Sequence, residues 1–211
     1  MNGGPSLPSV TVVVPIKGLE SAKSRLASHL GPDERSALVL RLLDHVLGVV
    51  AAWSAVERVV VVTPDPSVRA RAEAIGAMTI DEVTGAGQNA ALERARALAR
   101  HWSPAAMLVL SGDLPLLGQA DLEEIGRLGA TEGTVVFAPD RHGVGTNALL
   151  LHPPDLIPFR FGPDSFQRHA QEAESRGLRV RVYRRIGTAL DLDLPEDLNL
   201  VEKLARTSTR Q

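Results

Sequence analysis

The chain has 211 residues, which favours a single domain, and its 44% hydrophobic content is typical of a globular protein. Its 23 basic and 25 acidic residues give a formal net charge of −2, which argues against a broad basic face for nucleic acid or anionic membranes. Cysteine is absent, so disulfides, thiolate metal sites and cysteine nucleophiles are excluded. No apolar run approaches the roughly 18 residues of a membrane helix, and the start of the chain lacks signal-peptide features. A soluble, cytoplasmic protein with small-molecule partners is predicted.

Short apolar runs in chain order predict six β-strands, at residues 10–14, 59–62, 107–110, 134–137, 146–151 and 178–183. The first four are almost continuously apolar, which is the pattern of strands covered on both faces. Helical periodicity lies between them, at residues 38–50, 91–102 and 164–176, and a last helix is predicted to begin at Pro195.

This alternation predicts an α/β fold with a mainly parallel, doubly wound central sheet. We expect residues 10–205 to form the domain, with loose tails at residues 1–9 and 206–211. In such sheets ligands bind beyond the carboxyl ends of the strands, near a topological switch point. The loops directly after the strands are therefore where functional residues are expected.

Three cations follow the first predicted strand: Lys17, Lys23 and Arg25. The chain has only three lysines against 20 arginines, and two of the lysines lie in this loop. A flexible ammonium suits a phosphate chain, although a solvated basic loop is the simpler alternative. The loop matches neither the P-loop motif nor the dinucleotide-binding glycine motif, which disfavours a P-loop ATPase and an NAD(P) dehydrogenase.

Carboxylates follow two other predicted elements. Asp113 ends the third strand in a Ser-Gly-Asp turn, and Asp191 and Asp193 lie in an extended segment that places both on one side. Carboxylates on one side repel each other unless a cation lies between them, and Mg²⁺ takes such ligands together with nucleotide phosphates. The alternative is structural, because Asp193 could favour a helix N-terminus and Asp113 could cap a turn.

A glycine-rich segment at residues 139–147 follows the fourth strand, and residues 159–169 lead into a helix. Exposed backbone N–H groups and a helix N-terminus could bind an anion here, with help from nearby arginines. Those arginines are Arg141, Arg160 and Arg168. A hairpin-like glycine turn with an ordinary capped helix explains the same residues equally well. His142 and His169 lack metal-ligand spacing and are interpreted as surface groups or as groups that support others.

Taken in order, these motifs resemble one family. V-P-I-K-x5-K-x-R-L, S-G-D-L-P, D-R-x-G-x-G-T-N, F-G-x-D-S-F-x-x-H and D-x-D-x-P-E-D-L together are similar to the 2-phospho-L-lactate/phosphoenolpyruvate guanylyltransferase family of coenzyme F-420 biosynthesis. The resemblance runs from Lys17 to about Leu198. It implies a Rossmann-like nucleotidyltransferase fold, GTP as the donor, a small phosphorylated carboxylate as the acceptor and Mg²⁺ as the cofactor.

The resemblance also implies residue roles. The family's metal-binding positions fall on Asp113, Asp191 and Asp193; its acceptor-binding positions fall on Thr146, Gly162 and Ser165; its basic loop falls on Lys17, Lys23 and Arg25. Leu194 stands where threonine is expected, which weakens the predicted cap of the last helix. Residues 84–91 lie where the family contacts the base.

The expected reaction follows from the charges. An acceptor phosphate is largely dianionic at pH 7, with a second pKa of about 6, and needs no general base. It would attack the α-phosphorus of GTP and expel pyrophosphate, with Asp113 and the basic loop as the catalytic groups. The resemblance implies that bacterial members tend to use phosphoenolpyruvate, and the arginine bias indicates a GC-rich bacterial genome, so phosphoenolpyruvate is the favoured acceptor. The alternatives are 2-phospho-L-lactate, 3-phospho-D-glycerate, molybdopterin, a sugar 1-phosphate, or a non-catalytic nucleotide sensor.

Overall fold

The computed structural model describes residues 7, 9–81 and 87–208. Within them, seven strands form one sheet in the order β3-β2-β1-β4-β6-β5-β7. The strands are β1 (Val10–Pro15), β2 (Val56–Val62), β3 (Met78–Ile80), β4 (Ala106–Leu110), β5 (Thr134–Pro139), β6 (Thr146–His152) and β7 (Arg179–Val182). All neighbouring pairs are parallel except those of β6, which runs antiparallel to both β4 and β5.

Helices connect these strands. They are α1 (Pro32–Ala52), α2 (Pro66–Ala74), α3 (Gly87–Ala99), α4 (Gln119–Leu128), α5 (Ser165–Ser175), α6 (Ile186–Ala189) and α7 (Pro195–Ser208). Short 3-10 turns lie at Leu19–Ser21, Ser24–Leu26 and Arg100–Trp102. None of the helices in the described parts of the chain is long and apolar enough to cross a membrane.

The predicted α/β class and mainly parallel sheet are confirmed. The six predicted strands and four predicted helices all occur, with boundaries moved by a few residues. Sequence periodicity missed β3, a three-residue edge strand with partly exposed side chains, and α2, a short helix in which only Val68 and Ala72 are buried. It also missed α4 and the single-turn helix α6.

The predicted tails contain residues that contact the domain. Leu7 is buried against the core, and the carbonyl of Ser9 accepts a hydrogen bond from the backbone N–H of Ala106. At the other end, α7 continues to Ser208. The remaining residues of both predicted tails lie outside the described ranges.

The sheet separates two hydrophobic cores. Alternate residues of each strand face opposite sides, so Val12 and Leu108 pack in the core that contains the buried residues of α1 and α4. Val13 and Val109 pack on the other side with residues of α3. The sheet is therefore covered on both faces, as the near-continuous apolar strands predicted.

The strand order places a topological switch point beside β1. From β1 the chain moves outward to β2 and β3, and it then returns to the opposite side of β1 as β4. The loops that follow β1 and β4 therefore diverge at the carboxyl ends of two adjacent parallel strands and leave a crevice between them. The basic loop and Asp113 lie at this crevice.

Gly112 allows the loop after β4 to pass close to the end of β1. A Cβ atom at this position would lie 2.1 Å from Cδ1 of Ile16 and 3.1 Å from Cγ1 of Val14. Both contacts are with buried side chains of the sheet core. A larger residue would therefore force either the Ile16 side chain or the Asp113 turn to shift.

We expect Gly112→Ala to lower the free energy of unfolding by about 1–3 kcal/mol, because it overpacks the core at the crevice. Gly48→Ala is the matched control, since Gly48 lies on an exposed position of α1 with no atom within 4 Å of the added Cβ. That control should gain about 0.5–1 kcal/mol from helix propensity. Urea unfolding measures both, and equal stabilities of the two variants would contradict the packing argument.

Candidate active site

One ammonium group lies between two carboxylates at the crevice. Nζ of Lys23 donates to Oδ2 of Asp113 at 2.5 Å and to Oδ1 of Asp193 at 2.7 Å. The Lys23 side chain is only 7% exposed, against 24% for Asp113 and 43% for Asp193. Burial alone would lower the pKa of Lys23, but the two carboxylates raise it above its ordinary value. Lys23 is therefore held in its charged form.

The backbone of the basic loop aims Lys23 into the crevice. Lys23 has a left-handed conformation with φ of 52°, between the two 3-10 turns that follow β1. This conformation is costly for a residue with a side chain, and it persists where the surroundings fix it. Leu26, three residues later, is fully buried and anchors the loop.

Asp113 is held in its ionised form. Its Oδ1 accepts a hydrogen bond from the hydroxyl of Ser111 at 2.7 Å, while its Oδ2 contacts Lys23. Burial by itself would raise the pKa of Asp113, but the Lys23 ammonium and these hydrogen bonds keep the pKa below its ordinary value. The carboxylate is thus available as a ligand at neutral pH.

The segment that carries Asp191 and Asp193 is fixed at its centre. The backbone N–H of Leu192 donates to the carbonyl of Asp113 at 3.1 Å. The Leu192 side chain packs in a small cluster with Leu26 and two leucines of α1, Leu38 and Leu42. These contacts direct the flanking aspartates toward the crevice.

The pKa of Asp191 is shifted in the opposite direction to that of Asp113. Burial raises its pKa, and the nearby charges of Asp113 and Asp193 raise it further. One hydrogen bond partly offsets this shift, because Nδ2 of Asn147 donates to Oδ1 of Asp191 at 3.2 Å. The three carboxylates therefore carry more negative charge than Lys23 alone neutralises.

The last helix is capped although Leu194 lacks a capping side chain. Oδ2 of Asp197 accepts from the backbone N–H groups of Asp193 at 2.9 Å and Leu194 at 2.6 Å. This is the returning half of a capping box. Asp197 is also paired with Arg141, whose Nη1 lies 2.5 Å from Oδ1. The expected weakness of this helix start is thus compensated from within the segment itself.

A cavity of about 400 Å³ contains the predicted metal and basic residues. Those that line it are Lys17, Lys23, Arg25, Asp113, Asp191 and Asp193. Gln88, in the first turn of α3, lines it as well. Of the segment predicted to contact the base, residues 84–86 lie outside the described residues.

The present arrangement of the carboxylates is an ion-pair cluster. Within residues 7, 9–81 and 87–208, no three His, Asp or Glu side chains are grouped so as to hold a metal ion. The Lys23 ammonium takes the position between Asp113 and Asp193. Oxygen donors of this kind suit a hard divalent cation, and the excess negative charge around Asp191 favours one. The carboxylates are thus the ligand type that Mg²⁺ prefers, but in their present arrangement they form an ion pair with Lys23 and not a metal site.

The predicted acceptor-binding residues form a second cluster. The hydroxyls of Ser165 and Thr146 lie 3.2 Å apart, and the backbone N–H of Ser165 donates to the carbonyl of Gly162 at 3.2 Å. These three residues are not among those that line the 400 Å³ cavity. The two clusters adjoin along the chain, because Thr146 directly precedes Asn147, which contacts Asp191.

The backbone N–H groups of residues 142–145 in the glycine-rich loop all donate to Asp140, which favours the hairpin alternative. The carboxylate of Asp140 accepts from the N–H groups of His142, Val144 and Gly145 at 2.9–3.1 Å. The loop connects the antiparallel pair β5 and β6, so the hairpin alternative describes its local structure.

Two of the three arginines expected to contact an anion lie near carboxylates of the chain. Arg141 is paired with Asp197, and Nη2 of Arg160 lies 3.9 Å from a carboxylate oxygen of Glu172. At the start of α5, the N–H of Phe166 donates to the carbonyl of Val144. The anion contacts expected of Arg141, Arg160 and Arg168 therefore stay a prediction.

Sequence reasoning left several functional neighbours without a role. Ser111 orients Asp113, and Asn147 contacts Asp191. His169 is fully buried behind Thr146, so the possibility of a surface group is wrong for this residue. Asn147 and His169 contact residues far away along the chain, and only the position of Ser111 beside Asp113 was visible as a local motif.

The fold is that of nucleotidyltransferases. The chain superimposes on a putative nucleotide-diphospho-sugar transferase from Desulfovibrio desulfuricans G20 with a TM-score of 0.73 and 17% identity, over 91% of this chain and 85% of that chain. At this level of identity the likeness establishes the fold alone.

Sequence similarity shows the family. The family profile described as "Guanylyl transferase CofC like" matches residues 10–205, and the chain belongs to this family. It is 44% identical over 194 residues to the phosphoenolpyruvate guanylyltransferase of Rubrobacter xylanophilus, covering 92% of this chain and 94% of that protein. It is 45% identical over 188 residues to that of Sphaerobacter thermophilus, covering 88% and 89%. The expected family membership is confirmed.

The pKa shifts predict opposite stability effects for two aspartates. Asp191→Asn should raise the free energy of unfolding at neutral pH by about 1 kcal/mol, because it removes a destabilising buried charge. Asp113→Asn should lower it by about 2 kcal/mol, because Lys23 loses a charged hydrogen-bond partner. Urea unfolding at pH 7.5 measures both changes.

The dependence of the unfolding free energy on pH is the control for these two variants. A raised pKa in the folded state means that ionised Asp191 destabilises the fold above that pKa, and the penalty disappears as pH falls through it. The advantage of Asp191→Asn should therefore shrink on acidification. A variant that is less stable than the parent at every pH would contradict the electrostatic assignment.

Proposed function

We propose that this protein transfers GMP from GTP to the phosphate of phosphoenolpyruvate and releases pyrophosphate, as a step of deazaflavin coenzyme F-420 biosynthesis. The observation that carries the proposal is the joint location of the basic loop and the three carboxylates at one cavity beside the switch point. Membership of the guanylyl transferase family and the names of its relatives support the donor and the acceptor.

The reaction needs charge neutralisation more than proton transfer. A phosphate oxygen of phosphoenolpyruvate attacks the α-phosphorus of GTP, a P–O bond forms, and the bond to the bridging oxygen of the β-phosphate breaks. The electron pair leaves with pyrophosphate. The attacking phosphate is already largely dianionic at pH 7, so we assign no general base. The chain must instead bring two polyanions together in line.

The basic loop is assigned to the polyphosphate. Lys17 and Arg25 are exposed residues that line the cavity, and they can reach a nucleotide without breaking an internal contact described above. Lys23 lies deeper, between Asp113 and Asp193. These cations stabilise the negative charge that develops on the leaving pyrophosphate.

Asp113, Asp191 and Asp193 are the residues that would hold Mg²⁺. When bound, the ion would polarise the α-phosphate and reduce repulsion between donor and acceptor. Ser111 and Asn147 keep two of the carboxylates in orientation. Lys23 would exchange its carboxylate partners for phosphate oxygens, since ammonium is a natural phosphate ligand.

The hydroxyls of Thr146 and Ser165, with the neighbouring Gly162, are assigned to the acceptor. Thr146 directly precedes Asn147, which contacts Asp191, so the acceptor residues and the carboxylate cluster are linked through β6. A small acid with a phosphate and a carboxylate presents only hydrogen-bond acceptors, which hydroxyl donors satisfy. 2-Phospho-L-lactate shares this chemistry, and 3-phospho-D-glycerate adds one hydroxyl that can also donate; both are competing acceptors.

An acceptor panel with Mg²⁺ and GTP tests the proposal through pyrophosphate release. Phosphoenolpyruvate should give the highest kcat/KM, while a sugar 1-phosphate or molybdopterin should give none. Release with another acceptor would reassign the substrate, and no release with any of them would favour a nucleotide sensor.

A substitution of Asp113 tests its assigned catalytic role. Asp113→Ala should lower kcat by at least about 10³-fold, because the ion that neutralises the reacting phosphates loses a ligand. Asp44→Asn is the control, since Asp44 pairs with Arg71 on the exposed face of α1, away from the cavity. Circular dichroism verifies that both variants fold. Retained activity in folded Asp113→Ala would refute the assignment.

A further inference from the structure

His169 is a buried residue that has no role in the reaction proposed above. It lies on α5 with no exposed surface, and its ring stacks at 6.3 Å on Phe137 and meets Phe161 edge-on at 4.8 Å. Both of its ring nitrogens nevertheless have polar partners. Those partners determine where its proton lies.

The backbone N–H of Arg160 donates to Nε2 of His169 at 2.9 Å. A backbone N–H can only donate, so Nε2 carries no proton. Burial, reinforced by the charge of Arg168, lowers the pKa of His169 to about 4, and the ring is neutral at physiological pH. The single ring proton must therefore be on Nδ1.

Nδ1 lies 3.3 Å from the hydroxyl oxygen of Thr146. The Nδ1 proton is donated to the backbone carbonyl of Ser165 and toward the Thr146 hydroxyl, so Thr146 cannot give its own proton to the ring. The hydroxyls of Thr146 and Ser165 lie 3.2 Å apart, and their mutual hydrogen bond uses one of their two protons. One O–H is left over.

Within the described parts of the chain, neither hydroxyl makes another hydrogen bond. Thr146 is 9% exposed and Ser165 is 2% exposed, so water replaces the missing acceptor poorly. A buried O–H without an acceptor is costly, and a ligand oxygen that only accepts hydrogen bonds relieves that cost.

We propose that His169 is a positioning residue whose protonated Nδ1 prevents Thr146 from donating to the ring, so that one hydroxyl of the Thr146–Ser165 pair is always free to donate to the anionic acceptor. This inference rests on the proposed function and deepens it. It adds a reason for selectivity, because a pair with a fixed spare donor favours a carboxylate or phosphate oxygen over a donor group.

The test is a double-mutant cycle on phosphoenolpyruvate binding, measured by calorimetry with Mg²⁺ and a GTP analogue whose α,β-bridging oxygen is methylene. His169→Phe keeps the aromatic packing and removes both nitrogens, while Thr146→Val removes the hydroxyl. Each should weaken phosphoenolpyruvate binding about tenfold. The double variant should match Thr146→Val within about threefold, because His169 acts through that hydroxyl. Affinity for the nucleotide analogue should stay within about twofold throughout.

Multiplication of the two effects in the double variant would overturn the inference. His169→Asn and His169→Gln decide the question if His169→Phe does not fold. The asparagine amide can donate from the position of Nδ1 and should bind phosphoenolpyruvate within about threefold of the parent. The glutamine amide reaches the Nε2 position instead and should lose about tenfold. Equal losses in both variants would also contradict the positioning role.

The outcomes separate the two proposals. The unsubstituted protein could bind phosphoenolpyruvate but release no pyrophosphate, while the variants show the predicted coupling. That result would refute the proposed reaction and leave the role of His169 intact. Turnover of phosphoenolpyruvate with multiplied effects would refute the role of His169 alone. Failure of the unsubstituted protein to bind phosphoenolpyruvate would refute both.

Discussion

The site depends on one cation shared by two carboxylates from distant parts of the chain. Lys23 follows β1, Asp113 follows β4 and Asp193 precedes α7, and the ammonium of Lys23 joins the other two. A charge buried in this way is stable only with its partners in place, and the carboxylates repel without it. The ion pairs of Lys23 therefore hold the three segments together at the crevice beyond the carboxyl ends of β1 and β4.

Apolar packing makes this meeting geometrically possible. Leu26 from the basic loop and Leu192 from the aspartate segment pack together against α1. These leucines are close in sequence to Lys23, Asp191 and Asp193. Burial of the leucines therefore places the charged side chains at the cavity. Gly112 completes the arrangement by letting the Asp113 turn approach the end of β1. The same residues that stabilise the fold therefore bring the charges together.

The sequence predicted what depends on local pattern. Apolar runs such as Val10–Val14 identified the buried strands, and the charged loops after them identified the cavity residues. It could not predict that β6 is antiparallel, since β-propensity carries no direction, nor that Asp140 uses the glycine-loop N–H groups. The roles of Asn147, Asp197 and His169 depend on contacts across many residues, which only the folded chain defines.

We propose that Lys23 occupies the position that a divalent cation would take during the reaction. Binding of Mn²⁺ to Lys23→Met, followed by electron paramagnetic resonance without nucleotide, tests it most directly. Removal of the competing ammonium should tighten Mn²⁺ binding about tenfold or more, because two carboxylates lose their only shared cation in this cluster. An unchanged or weaker Mn²⁺ affinity in a folded Lys23→Met protein would contradict the account.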